Sequence, residues 1–212
     1  IDYVQSDYTK KYHDMGYTTW SNLPGSGKEI EMITGYANSF DLFDGDNATE
    51  ESIKSLSNSG DLYNYRIIHF ATHGLEITDE PELNAIILLP SNILNKEDGY
   101  LRTSEIMNLN IRTELVNLSA CETALGKEYM SEGIIGLTRS FFIAGANGVC
   151  ATLWPVADNE SAQFMNIFYE YIFDSVSVND ALSNTKRDLI SGKLDLKYKS
   201  PYYWAPFVYY GK

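Results

Sequence analysis

Cys121 and His73 are the two side chains of this sequence best suited to covalent chemistry on a carbonyl carbon. A thiolate is a strong nucleophile near neutral pH, and an imidazole moves a proton there without large retuning. Cys121 stands in Leu118-Ser119-Ala120-Cys121-Glu122-Thr123, at a strand-to-helix turn where backbone N–H groups and partial exposure favour the charged sulfur. His73 closes an apolar run and precedes Gly74. A residue without Cβ lets its N–H approach a ligand closely, as a donor to an oxyanion must. Both side chains also have an inert reading: the cysteine as a small buried apolar group, the histidine as a hydrogen-bonded residue at a sheet edge.

Other reactive residue types form weaker patterns. His69 and His73 have an H-x-x-x-H spacing, but four residues of strand span roughly 13 Å, too far for one metal ion. His69 is therefore expected to be a satisfied core histidine and Cys150 a core residue in mid-strand, and neither metal nor cofactor is expected. Gly25-Ser26-Gly27-Lys28 is not a phosphate loop, because position 22 is Asn22 rather than glycine and Glu29 follows the lysine. The G-x-S-x-G elbow of serine hydrolases does not occur. Trp154-Pro155-Val156-Ala157-Asp158 follows another apolar run. Trp154 belongs either to the core or to the wall of a substrate cleft, and Asp158 either caps the next helix or faces that cleft.

These side chains need a scaffold that brings them to one edge. Arg66-Ile67-Ile68-His69-Phe70-Ala71-Thr72, residues 85–89, Leu115-Val116-Asn117-Leu118-Ser119-Ala120 and Gly148-Val149-Cys150-Ala151-Thr152-Leu153 are continuous apolar runs of strand length. Such runs are buried on both faces in parallel sheets. Residues 103–107, 131–144, 160–173 and 178–191 are amphipathic and predict helices between or after them. Further upstream, residues 1–38 are polar and Tyr-rich, and they predict a loop followed by a helix over about 28–36. Residues 39–43 predict a strand, 44–47 a turn, and Thr49-Glu50-Glu51 opens a short helix. This alternation predicts an α/β fold with a mostly parallel central sheet flanked by helices. Open sheets of that kind bind ligands beyond the carboxyl ends of their strands. His73, Cys121 and Trp154 each follow such an end, so one rim would hold all three.

Composition narrows the partners. With 212 residues and 44% apolar content the chain can build one large domain, divided on the pattern above into an N-terminal segment, 1–38, and a main domain, 39–212. A net charge of −13 excludes a nucleic-acid surface, which needs clustered Lys and Arg, and would attract a basic peptide. Two cysteines, no signal-like start and no long apolar stretch predict a reducing, cytoplasmic setting without a membrane span. Ile1 in place of Met predicts a piece of a longer protein.

Five motifs in order make the pattern specific. Phe70-Ala71-Thr72-His73-Gly74 and Leu118-Ser119-Ala120-Cys121-Glu122-Thr123 closely resemble the CHAT family of caspase-like peptidases. Ser140-Phe141-Phe142-Ile143-Ala144-Gly145-Ala146, Leu153-Trp154-Pro155-Val156-Ala157-Asp158 and Tyr202-Tyr203-Trp204-Ala205-Pro206-Phe207 resemble it in the same sequence order. The resemblance implies a caspase-like α/β sandwich and a cysteine endopeptidase, with His73 and Cys121 as the catalytic pair and the backbone amides of Gly74 and Cys121 as oxyanion donors. It also implies a protein substrate bound as an extended strand beside the loop of Trp154 and Asp158. An upstream helical-repeat sensor within a regulatory complex is implied too, as is a place among the effectors of bacterial antiviral defence. Asp158 and the acidic loop 76–82 would suit Arg or Lys before the scissile bond, whereas a pocket of Trp154 and leucines would suit a large apolar residue. The same fold could also serve as a catalytically silent interaction module, or hydrolyse small molecules.

Overall fold

The central apolar runs lie side by side as three parallel strands, β1 (Ile67–Phe70), β5 (Leu115–Leu118) and β6 (Gly148–Thr152). A fourth, β7 (Phe207–Gly211), closes the far edge antiparallel to β6, giving the order β1-β5-β6-β7. β5 and β6 are buried along their whole length because helices cover both faces, which is why their sequences are apolar throughout. Side chains alternate across that sheet. Val116, Leu118, Val149 and Ala151 enter one core, while Leu115 and Cys150 enter the other. This computed structural model describes residues 2–77, 79–91, 97–119, 132–192 and 194–211.

The first core is covered by α3 (Glu50–Ser59), α4 (Thr103–Ile106) and α5 (Glu132–Ala144), through Ile53, Ile106, Leu137 and Phe141. The second is covered by α2 (Pro24–Thr34), α6 (Asp158–Phe173) and α7 (Val178–Ser191). Phe164 of α6 stacks on Phe207 of β7 with ring centroids 3.7 Å apart, and both rings are buried. Burying each such side chain stabilises the fold by about 1.5–3 kcal/mol. Helix starts follow capping chemistry where it is legible: the Thr49 hydroxyl accepts from Ser52 N, and the Ser177 hydroxyl accepts from Asp180 N.

A second, antiparallel sheet of β2 (Gly74–Leu75), β3 (Ala85–Ile87) and β4 (Tyr100–Arg102) leaves the end of β1. α1 (Asp2–Asp14) packs on it, with Tyr12, Leu75, Leu83, Ala85, Ile87 and Tyr100 forming a third core. Three expectations change here. Residues 39–43 form no strand; they are exposed coil, with Phe40, Leu42 and Phe43 exposed, and no strand among the described residues shares a ladder with them. The run at 85–89 is a strand over its first three residues, but in the small sheet. The loop expected at the start is a helix, stabilised by docking rather than by a strong apolar stripe of its own. Among the described residues no helix is long and apolar enough to cross a membrane.

Candidate active site

β1 and β5 end level with each other: Phe70 is opposite Leu118, and Ser119 N donates to the Phe70 carbonyl at 3.0 Å. Beyond Phe70 the chain turns into β2, and β3 clamps that turn. Ile87 N donates to the His73 carbonyl at 2.8 Å, and the Thr72 hydroxyl donates to the Ile87 carbonyl at 2.6 Å. His73 therefore sits at the joint between the two sheets, held by its backbone on a rigid strand. Its side chain is only 6% exposed.

The two nitrogens of that ring have different surroundings. Nε2 lies 2.7 Å from the Ser21 carbonyl oxygen. A carbonyl can only accept, so Nε2 carries the hydrogen and the neutral ring keeps its lone pair on Nδ1. Nδ1 is buried and has no hydrogen-bond partner among the described residues. Trp20 lies over the ring, with centroids 5.3 Å apart and planes inclined by 35°. Among the described residues the ring is thus buried, held in one tautomer through Nε2, and has its acceptor atom Nδ1 unpaired.

Sequence reading missed Trp20 and Ser21. A backbone carbonyl has no residue signature, and a single Trp in a polar segment does not announce what it covers. Gly74 begins β2 opposite Ile86. Cys121 lies outside the described residues, within the stretch 120–131. Trp154 is half-buried just past β6; its indole N–H donates to the Tyr202 carbonyl at 3.3 Å, beside the exposed Tyr202 side chain. No hydrogen bond or ring contact among the described residues joins Trp154 to His73. Asp158 is the first residue of α6, and the cap position before it is Ala157, so a capping role for Asp158 is corrected; its side chain lies outside the described residues.

His69 is packed in the interior as expected, but it is satisfied only at Nδ1: Nε2 and Glu29 Oε1 are close without an aligned hydrogen bond. Nδ1 lies 2.8 Å from the Tyr169 hydroxyl and 2.9 Å from the Asn117 amide, and Nε2 lies 2.8 Å from Glu29 Oε1. Since His69 and Asn117 are opposite each other on β1 and β5, this network ties together the strands that lead to His73 and to Cys121. Cys150 is buried in β6. Among the described residues one acidic group is close enough to hold a cation: Glu50, Glu97 and Glu105 offer oxygens within 4.8 Å of one another. Its centre is taken by the Lys54 ammonium, 2.5, 2.6 and 2.8 Å from those three carboxylates.

Comparison with known proteins extends the pattern to the whole chain. A family model described as the CHAT domain matches residues 4–212. Tetratricopeptide repeat protein 28 of Mus musculus is 25% identical over 222 residues, covering 91% of this chain and 9% of that protein. The Homo sapiens protein of the same name is 24% identical, with 91% and 8% covered. The chain thus spans less than a tenth of the length of these relatives.

Proposed function

The chain belongs to the CHAT family, whose fold is that of caspase-like peptidases, and on that premise we propose that it is a cysteine endopeptidase with Cys121 as nucleophile and His73 as its acid/base partner. The observation that carries this reading is the asymmetry of the His73 ring, with Nε2–H engaged by Ser21 and Nδ1 buried and without a hydrogen-bond partner among the described residues. Geometry supports the pairing. Ser119 is hydrogen-bonded to the end of β1, and Cys121 follows it by two residues of at most about 3.8 Å each.

In the proposed reaction His73 Nδ1 takes the thiol proton, and the thiolate sulfur attacks the scissile carbonyl carbon. The oxyanion so formed is met by the backbone N–H groups of Gly74 and Cys121. Collapse breaks the C–N bond while Nδ1–H protonates the leaving amine, giving a thioester. Water, deprotonated by Nδ1, then releases the acid and regenerates the thiol. The net charge of −13 suits a basic substrate segment, and Trp154 and Asp158 are the side chains we assign to its recognition. An upstream helical-repeat region is the regulatory partner we propose, because both relatives are named for tetratricopeptide repeats. The setting is a signalling or defence pathway in the cytoplasm.

The test is proteomic cleavage-site mapping with the full-length protein, wild type against Cys121→Ala and His73→Gln. Cleavage is expected to fall by a factor of at least about 10³ in each variant, with partner capture unchanged. Cleavage that survives in Cys121→Ala removes the nucleophile assignment. Partner capture without cleavage by the wild type assigns the fold to a binding role instead.

A further inference from the structure

The group that fixes the His73 tautomer does not belong to either sheet. Ser21 and Trp20 lie in the connection between α1 and α2, and a continuous series of aromatic contacts leads from them back to α1. Tyr12 of α1 stacks on Tyr100 of β4 with centroids 3.9 Å apart and planes within 8°. The Tyr12 hydroxyl, itself buried, donates to the Leu83 carbonyl at 2.7 Å. Around this anchor the Thr9 hydroxyl donates to Asp98 at 2.8 Å, Lys11 pairs with Glu80 at 2.6 Å, and the Arg102 guanidinium lies over the rings of Tyr8 and Tyr12. The Tyr100 hydroxyl then donates to the Tyr17 carbonyl at 2.6 Å, Tyr17 stacks on Trp20, and Trp20 covers His73. Gly16, at φ +86, ends the helix and turns the chain toward the site.

We infer that α1 is the positioning element of His73: docking of Tyr12 on Tyr100 sets Trp20 and the Ser21 carbonyl against the imidazole, and undocking releases them. The consequence for catalysis rests on the peptidase reading; the coupling of helix to ring does not. With α1 docked, Nε2–H is held and Nδ1 presents its lone pair. With α1 displaced, Nε2 loses its acceptor, both tautomers are populated, and the fraction of enzyme with a competent base falls. A partner that binds or pulls on α1 therefore sets activity without touching the dyad. Trp20 and Tyr12 act through His73 and are positioning residues.

The experiment reads the ring itself. The sequence has three histidines, His13, His69 and His73, so ¹⁵N-resolved imidazole NMR of the whole chain, with His73→Gln for assignment, gives the His73 tautomer directly. Wild type is expected to show one Nε2-protonated form. Tyr12→Ala and Trp20→Ala are each expected to give averaged tautomers, and Tyr12→Phe and Trp20→Phe to restore the single form. Cleavage, in the same variants, is expected to fall at least about twofold, as the competent tautomer is diluted, and to recover with the Phe replacements. A single Nε2-protonated ring in Tyr12→Ala or in Trp20→Ala overturns the inference. Tautomers that respond while cleavage is indifferent to Cys121→Ala would instead leave the coupling standing and remove the peptidase reading.

Discussion

In the proposed dyad, the Ser21 carbonyl would take the place beside His73 that a carboxylate takes in many hydrolytic triads. The Ser21 oxygen lies 2.7 Å from Nε2 and, as an acceptor, orients the imidazole. Replacing Ser21 by Ala keeps that carbonyl and is expected to change cleavage less than twofold, whereas Ser21→Pro, which alters the local backbone, is expected to lower it; parallel kcat/KM measurements check the contrast. Specificity is the other question at this scale. Asp158 opens α6 beside the Trp154 loop, and a carboxylate facing the residue before the scissile bond would favour Arg or Lys. Asp158→Ala is then expected to weaken cleavage of an Arg reporter by about 10- to 100-fold, the effect of a lost ion pair of about 1.5–3 kcal/mol, and to spare a Leu reporter. An Arg preference that persists unaltered takes Asp158 out of the pocket.

Elements position these residues through a few close backbone approaches. Gly145 ends α5 at φ +111, and a Cβ built there would lie 2.1 Å from the Ile111 carbonyl oxygen. Only glycine fits both that backbone conformation and that contact. Gly145→Ala is expected to cost about 3 kcal/mol, which thermal unfolding would read as a Tm lower by roughly 6–12 °C for a chain of this size; an unchanged Tm would show that α5 can shift away from Ile111. The motif around Ser140 and Gly145, legible in the sequence only through family resemblance, holds this close approach at its Gly145. Strands β5 and β6 were legible because full burial leaves an unbroken apolar run, and the partly buried β1 carries a similar run. Residues 39–43, Ser39-Phe40-Asp41-Leu42-Phe43, have a partly apolar, strand-like pattern, yet no strand among the described residues pairs with them, and pairing is not written in a local pattern. α1 was illegible for the opposite reason: its helix depends on Tyr12 reaching Tyr100, 88 positions away in the chain. The same docking hid Ser21, whose contribution is a backbone atom.

At the scale of the molecule, the acidic balance is not only spread over the surface: among the described residues three carboxylates, one of them buried, converge on one ammonium. Lys54 of α3 binds Glu50 of the same helix, Glu97 before β4 and Glu105 of α4, joining three segments around one ammonium. Burial alone would lower the Lys54 pKa, but hydrogen bonds to Glu105, Glu50 and Glu97 outweigh it and hold the ammonium charged. One cation cannot balance three carboxylates. Burial first, then the Glu105 charge, pushes Glu50 up to about 8, so it retains its proton through neutral pH. Glu105 moves the other way: burial raises it, but the Lys54 hydrogen bond and the Arg102 backbone amide prevail and lower its pKa. The two shifts act in separate windows. Glu50 binds its proton more tightly when folded, so stability from this group is present below about pH 4.5 and is lost as pH rises toward about 8. Glu105 binds its proton less tightly when folded, so its contribution is present above the ordinary carboxylate range and disappears in acid. Urea unfolding of wild type is expected to show stability declining between about pH 5 and 8, and Glu50→Gln, which keeps a neutral group against Gly99 N and Lys54, is expected to flatten that decline. Removing the cation instead, as Lys54→Met, is expected to cost about 1–3 kcal/mol at pH 8, because it leaves buried Glu50 and the partly buried Glu97 and Glu105 without their partner, and less at pH 5, where protonation relieves them. A pH slope identical in wild type and Glu50→Gln would mean that Glu50 is ionised at neutral pH after all, with Lys54 alone sufficient to carry the charge.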